Sequence, residues 1–175
     1  MPKQWPSLSN EELGIKSIEN YYYSTEKALR SYYKQSNAVF ASYTLEELIE
    51  ELNFNIDQLD KSSAFMILAS MEAYLRRDYI ERCKYRKKDR LSREFQNLYN
   101  KKTEKAHLSE DILELWKQHT QKNYLVSEIR AVQHYRNWLA HGRYLKSRQG
   151  RKYDFFGLRT LAAIIQTEFR LEMGA

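Results

Sequence analysis

Between Gly14 and Gly142 the chain carries no glycine and no proline. These two residues most readily break helices and set tight turns, so a span this long without either points to helices joined by short polar connectors. Apolar spacing agrees. Ile15, Ile18, Tyr22, Leu29 and Tyr32 fall on one helical stripe, and Leu45, Leu48, Ile49, Leu52, Ile56 and Leu59 on a second. Thr44 and Glu47 have the spacing of a capping box, which starts the second helix at Leu45. Phe65, Leu68, Leu75 and Tyr79 mark a third stripe over about 62–83. Asn53 and Asn55 are only soft breakers, so it can run straight on from the second.

A helix over about 91–102 turns Leu91, Phe95 and Leu98 inward, and Ser109 is suited to cap a short one carrying Ile112 and Trp116. A further helix over about 123–141 is ended by Gly142 in the left-handed conformation. A loop then runs to Tyr153, and Asp154 caps a last helix with Phe155, Leu158, Leu161, Ile165 and Phe169 inward. The expectation is an all-α, up-and-down helical bundle with one long early hairpin, forming a single domain over residues 1–175.

Composition narrows the class. Hydrophobic content of 42% with 30% charged residues fits an ordered globular protein and not a disordered one. The longest apolar runs are far too short to span a bilayer, so no membrane partner is expected. The first residues lack the apolar segment of a secretory signal, and Cys83 alone excludes an internal disulfide framework. Both place the protein in the cytoplasm. Formal net charge is +6, which favours a polyanionic partner weakly. The charge is uneven: one basic cluster covers 84–90 and another, with Arg143, Lys146, Arg148, Arg151 and Lys152, follows Gly142.

The densest chemistry is Arg136-Asn137-Trp138-Leu139-Ala140-His141. Arginine holds a phosphate with a fixed fork of donors, and histidine moves a proton near neutral pH. At about 100° per residue, Ile129, Val132, Arg136 and Leu139 share one face, while Arg130, His134, Asn137 and His141 share another. Arg136 therefore sits in the apolar stripe, where an unpaired charge is costly. For Arg136 and His141 to meet, either the helix loosens at Gly142 or a second copy of the helix supplies the complementary group. Glu72 lies among Leu68, Met71 and Leu75, and a structural Glu72–Arg136 pair holding two helices in register is the plain alternative. For His141 the plain alternative is a cap at the helix C-terminus, where the dipole favours its charged form.

The remaining residues add little chemistry. His134 is placed on the solvent or partner side, and His107 and His119 look incidental. No set of histidines, cysteines or carboxylates has metal-ligand spacing, and no Gly-rich phosphate loop or Ser-based elbow points to a cofactor or another reaction. The 14 tyrosines read as core and subunit interface before they read as base-stacking platforms.

At Arg136–His141 the sequence resembles the HEPN superfamily (higher eukaryotes and prokaryotes nucleotide-binding domains), whose signature is Arg, a polar residue, then His after four to six intervening positions. Here four intervene and the polar neighbour is Asn137. The setting is similar too, with the motif at the end of the penultimate helix. The segment 63–76, with its acidic Glu72, looks like a core helix of such domains. The resemblance implies a homodimer in which the motif helices face each other. It implies a metal-independent endoribonuclease of toxin or abortive-infection type, with an antitoxin or other regulatory protein as a possible partner. In that reading Arg136 steadies the scissile phosphate and His141 transfers a proton as the 2′-hydroxyl attacks. Asn137 orients the phosphate or the histidine, Glu72 supports from behind, and the basic residues 143–152 hold the RNA backbone. Toxins of this kind often carry a modified tyrosine two places after the histidine; here Arg143 stands there and Tyr144 follows, which puts that control in doubt. The rival reading is a non-catalytic HEPN module binding RNA, nucleotide or a partner protein, and a third is a plain helical interaction protein.

Overall fold

A computed structural model describes residues 5–8, 13–143 and 153–169. Among them are six α-helices and no strand: α1 (Ile15–Tyr32), α2 (Leu45–Lys84), α3 (Arg90–Lys102), α4 (Leu113–His119), α5 (Asn123–Ala140) and α6 (Phe155–Glu168). A short 3₁₀ turn (Ala38–Phe40) joins α1 to α2, and a π turn (Leu108–Ile112) opens α4.

The axis of the bundle is α2, whose 40 residues make it about 60 Å long. It starts as the capping box requires. Thr44 accepts from the Glu47 N–H, and the Glu47 carboxylate accepts from the Thr44 N–H. Those bonds hold the Glu47 carboxyl below its usual range. The two asparagines do not interrupt it. Asn55 bonds back to the Glu51 carbonyl and across to the Tyr33 hydroxyl of α1, so its polar side chain is used between helices and not to break one. Helix α1 runs antiparallel to α2, beginning where Ser70 donates to the Leu13 carbonyl and ending where Tyr33 meets Glu51. This is the long early hairpin.

The C-terminal half of α2 carries the core. Ile67, Leu68, Met71, Leu75 and Tyr79 are buried against Phe95 of α3, Ile112, Leu113 and Trp116 around α4, Ile129 and Val132 of α5, and Phe155, Leu158 and Ile165 of α6. A polar knot closes this end: Asp78, fully buried, accepts twice from the Arg82 Nε, and Arg82 reaches Ser92 and Asp89. Asp89 caps α3 through the Ser92 N–H and hydroxyl. Asp154 caps α6 as its position in the sequence requires, accepting from the Gly157 N–H at 2.7 Å.

Three sequence expectations are corrected. Ser109 does not cap α4. It lies inside the π turn, where its hydroxyl donates to Gln133 of α5 at 2.7 Å, and Asp111 takes up the exposed His107 N–H instead. Tyr32 ends the α1 stripe exposed, because the 3₁₀ turn draws Tyr33 and Phe40 inward in its place. The second stripe is buried only along one edge: Leu48 and Leu59 are covered, while Leu45 and Ile49 face outward.

Candidate active site

Helix α5 runs antiparallel to the middle of α2, and its own side chains fix its register. Arg130 donates to the Ser109 carbonyl at 2.9 Å and to Glu114 at 2.8 Å. That contact and a bond from Gln118 hold the Glu114 carboxyl below its usual range. Ile129 and Val132 are buried against Leu68, Met71 and Leu75. Beyond this anchored stretch the last turns of α5 carry the motif.

Arg136 is half-buried. Its guanidinium carbon lies 5.5 Å from the centre of the Phe65 ring on α2, and its Nη1 donates to the Asn137 side-chain oxygen at 3.3 Å. An aromatic face supports a guanidinium without neutralising it. The Arg136 Nε is buried and has no hydrogen-bond partner, and among the described residues no carboxylate pairs with Arg136. The Glu72–Arg136 pair weighed from the sequence is therefore not formed. Both residues line one narrow crevice with Leu68, Val132 and Gln133, but Glu72 is half-exposed and pairs with Arg76 at 2.9 Å, four residues along its own helix. A partner one turn away on the same helix is nearer for a short carboxylate than one across a packed groove.

His141 is exposed and forms the C-cap of α5, its N–H returning to the Asn137 carbonyl at 3.0 Å. Gly142 follows with φ +75°, the left-handed conformation expected of it, and Arg143 with φ +59° continues the reversal. The Arg143 N–H bonds to the Trp138 carbonyl, and its guanidinium donates to Gln58 of α2 at 3.0 Å. Asn137 and His134 are exposed, on the face the wheel gives them. Lys146, Arg148, Arg151 and Lys152, as well as Tyr144, lie outside the described residues.

The structure brings Arg136 and Asn137 into contact and sets His141 just beyond them at the helix end, with Arg143 turned back onto α2. It adds Phe65 and Gln58, which the sequence reading left out of the site. Phe65 reads as core from its apolar spacing. Its seven-residue separation from Glu72 puts both on one face of α2, which is the signal that could have paired it with the motif helix. Behind the motif, Tyr135 stacks on Trp138 and packs on Tyr153. Burial, with Asp60 and Asp57 nearby, pushes the Tyr135 phenol up, so it stays protonated.

A second concavity lies at the far end, between α3, α4 and the end of α6, lined by Arg82, Arg90, His119 and Lys122 among others. Its charges are largely answered from within: Arg82 by Asp78 and Asp89, Lys122 by Glu168. Among the described residues no group of three histidines, cysteines or carboxylates is placed to hold a metal ion, and no helix is long and apolar enough to cross a membrane. No protein-family model, curated protein or solved structure matches this chain.

Proposed function

We propose that this protein is a metal-independent endoribonuclease of HEPN type, acting as a homodimer in the cytoplasm, in a toxin or abortive-infection role. The observation that supports this most is the state of Arg136. Its charge is seated on an aromatic ring, touches one amide and has no carboxylate among the described residues. A structural arginine in an apolar stripe normally has an acidic partner; one without it is disposed toward an external anion.

In the proposed reaction Arg136 holds the non-bridging oxygens of the scissile phosphate through its fork. Asn137, bonded to it, keeps that fork in one orientation. RNA supplies the nucleophile, its own 2′-hydroxyl. The 2′-oxygen forms a bond to phosphorus as the bond to the 5′-oxygen breaks, leaving a 2′,3′-cyclic phosphate and a 5′-hydroxyl. His141, in the open at the helix end, takes the proton that the 2′-hydroxyl releases as it attacks, and the departing 5′-oxygen takes one from solvent. It stands five positions on from Arg136 along the helix, so a facing copy of α5 supplies the complementary member of the pair. Arg143 and the basic residues to Lys152 hold the flanking backbone, which makes binding fall with salt.

The test is complementation. Arg136→Ala and His141→Ala are each expected to be inactive on single-stranded RNA, and a mixture of the two, allowed to exchange subunits, to recover part of the wild-type rate. Full activity in either variant overturns the roles given to Arg136 and His141, and a wild-type protein that binds RNA and never cuts it favours the non-catalytic module.

A further inference from the structure

The first turns of α2 are an apolar face with no partner. Leu45, Ile49, Leu52 and Ile56 follow the i, i+4, i+7, i+11 spacing of a helix seam and fall within about 60° of one another on the wheel. α1 covers only one edge of this stripe. Leu48 and Leu59 are buried there, Leu52 and Ile56 are half-buried, and Leu45 and Ile49 remain 54% and 47% exposed. Tyr43, just before the helix, and Val39 in the 3₁₀ turn are exposed too, at 43% and 62%. Scattered apolar residues need no explanation, but a continuous seam left open on a long helix marks an interaction face.

Charge says what fits it. Residues 44–60 hold Glu46, Glu47, Glu50, Glu51, Asp57 and Asp60 and no lysine or arginine, a local −6 in a chain whose net charge is +6. Glu47 and Glu51 are engaged by Thr44 and Tyr33, Asp57 by Lys61, and Asp60 by the Phe155 N–H. Glu46 and Glu50 are exposed, make no ion pair among the described residues, and flank the open edge of the seam one turn apart. With Leu45 and Leu52 at d and Ile49 and Ile56 at a, Glu46 takes an e position, from which a coiled-coil helix selects its neighbour's charge, and Glu50 lies one turn on at b, on the outer side of that edge. A twofold contact between two copies of this face would set acid against acid. A basic helix meets no such penalty.

We propose that the open seam of α2 is the docking site for a basic amphipathic helix of another protein, which completes a three-helix coil with α1 and α2. Its apolar residues seat between Leu45, Ile49, Leu52 and Ile56, and its lysines or arginines face Glu46, with the Glu50 charge one turn beyond. This site is separate from the motif end of α5 and does not depend on the nuclease reading.

The test uses the full chain and two synthetic helices of about three heptads with leucine at a and d, one with lysine and one with glutamate at e and g. Fluorescence anisotropy is expected to show the lysine helix binding at least about tenfold more tightly than the glutamate helix. Ile49→Ser should weaken that binding by about tenfold, and Glu46→Lys with Glu50→Lys should reverse the preference. Both changes leave the core intact, so circular dichroism should be unchanged and melting should fall only slightly, Glu46 being an acid in the first turn of α2 and Ile49 half-covered. Equal binding of the two peptides, no binding, or binding indifferent to Ile49→Ser overturns the proposal. So does a homodimer that Ile49→Ser dissociates, which would assign the face to a second copy of this chain.

Discussion

Glu72 gives its carboxylate to Arg76 on the same helix at 2.9 Å and leaves Arg136, which lines the same crevice, to the Phe65 ring and the Asn137 amide. The two helices are thus not held in register by a buried ion pair at this level. Glu72→Gln should cost below about 1 kcal/mol, as a half-exposed helix pair does, and leave RNA cleavage near the wild-type rate. Chemical denaturation and a cleavage assay on the same preparation check both halves. A cleavage loss as deep as that of Arg136→Ala would restore Glu72 as the support of the arginine.

The fork of Arg136 matters beyond its charge. Lysine in its place keeps the charge but not two parallel donors, and sits less well on an aromatic face. Arg136→Lys is expected to lower the cleavage rate by about 10²-fold or more, as loss of one transition-state donor does, with the melting temperature little changed. Single-turnover rates at saturating protein separate this from weakened RNA binding.

Gly142 ends α5 at φ +75°, and a Cβ added there would meet nothing within 4 Å. The cost of Gly142→Ala is therefore backbone strain alone, about 1 kcal/mol. Gly142→Asn should recover part of it, since asparagine tolerates this conformation. Urea denaturation of the three proteins gives the order Gly, Asn, Ala. Cleavage should fall in the alanine variant, because His141 and Arg143 flank the strained residue.

Several carboxylates make the fold sensitive to acid. Burial pushes Asp111 up, but bonds from Lys102 and the His107 N–H and the Lys102 charge outweigh it and leave it lowered. Asp89 is lowered the same way, burial being overcome by Ser92 and Arg82. A carboxyl whose folded value lies below its unfolded value of about 4 contributes fully above that value. The contribution is lost as pH falls through the lower, folded value. Urea midpoints should therefore hold steady near neutrality and drop on the acid side. Asp111→Asn should flatten that drop while lowering the neutral plateau. Loss of the Asp89 cap in Asp89→Ala should cost about 1 kcal/mol at neutral pH.

Much of the architecture was legible because local rules and tertiary packing agree in this chain. Thr44 with Glu47, Asp154 and Gly142 each act at the helix end where their chemistry places them. Two of the failures share a physical source. Side-chain hydrogen bonds and ion pairs choose among several near neighbours, and spacing alone does not rank them. Ser109 turned to Gln133 and not to its own backbone, and Glu72 turned to Arg76. At the site, the wheel sets Arg136 and His141 on different faces, and a single sequence does not carry what a neighbouring helix contributes, so Phe65 and Gln58 went unread. The open edge of the α2 seam was hidden for the opposite reason: its apolar residues satisfy a helical pattern whether or not another helix covers them.

The most direct measurement is the chemistry of the cut ends. Single-stranded RNA incubated with the purified protein in EDTA should yield fragments ending in a 2′,3′-cyclic phosphate and beginning with a 5′-hydroxyl, and a 2′-deoxy substitution at the cut position should block cleavage there. Fragments with a 3′-hydroxyl and a 5′-phosphate, or cutting that continues through the 2′-deoxy position, would contradict attack by the RNA's own hydroxyl and with it the roles given to Arg136 and His141.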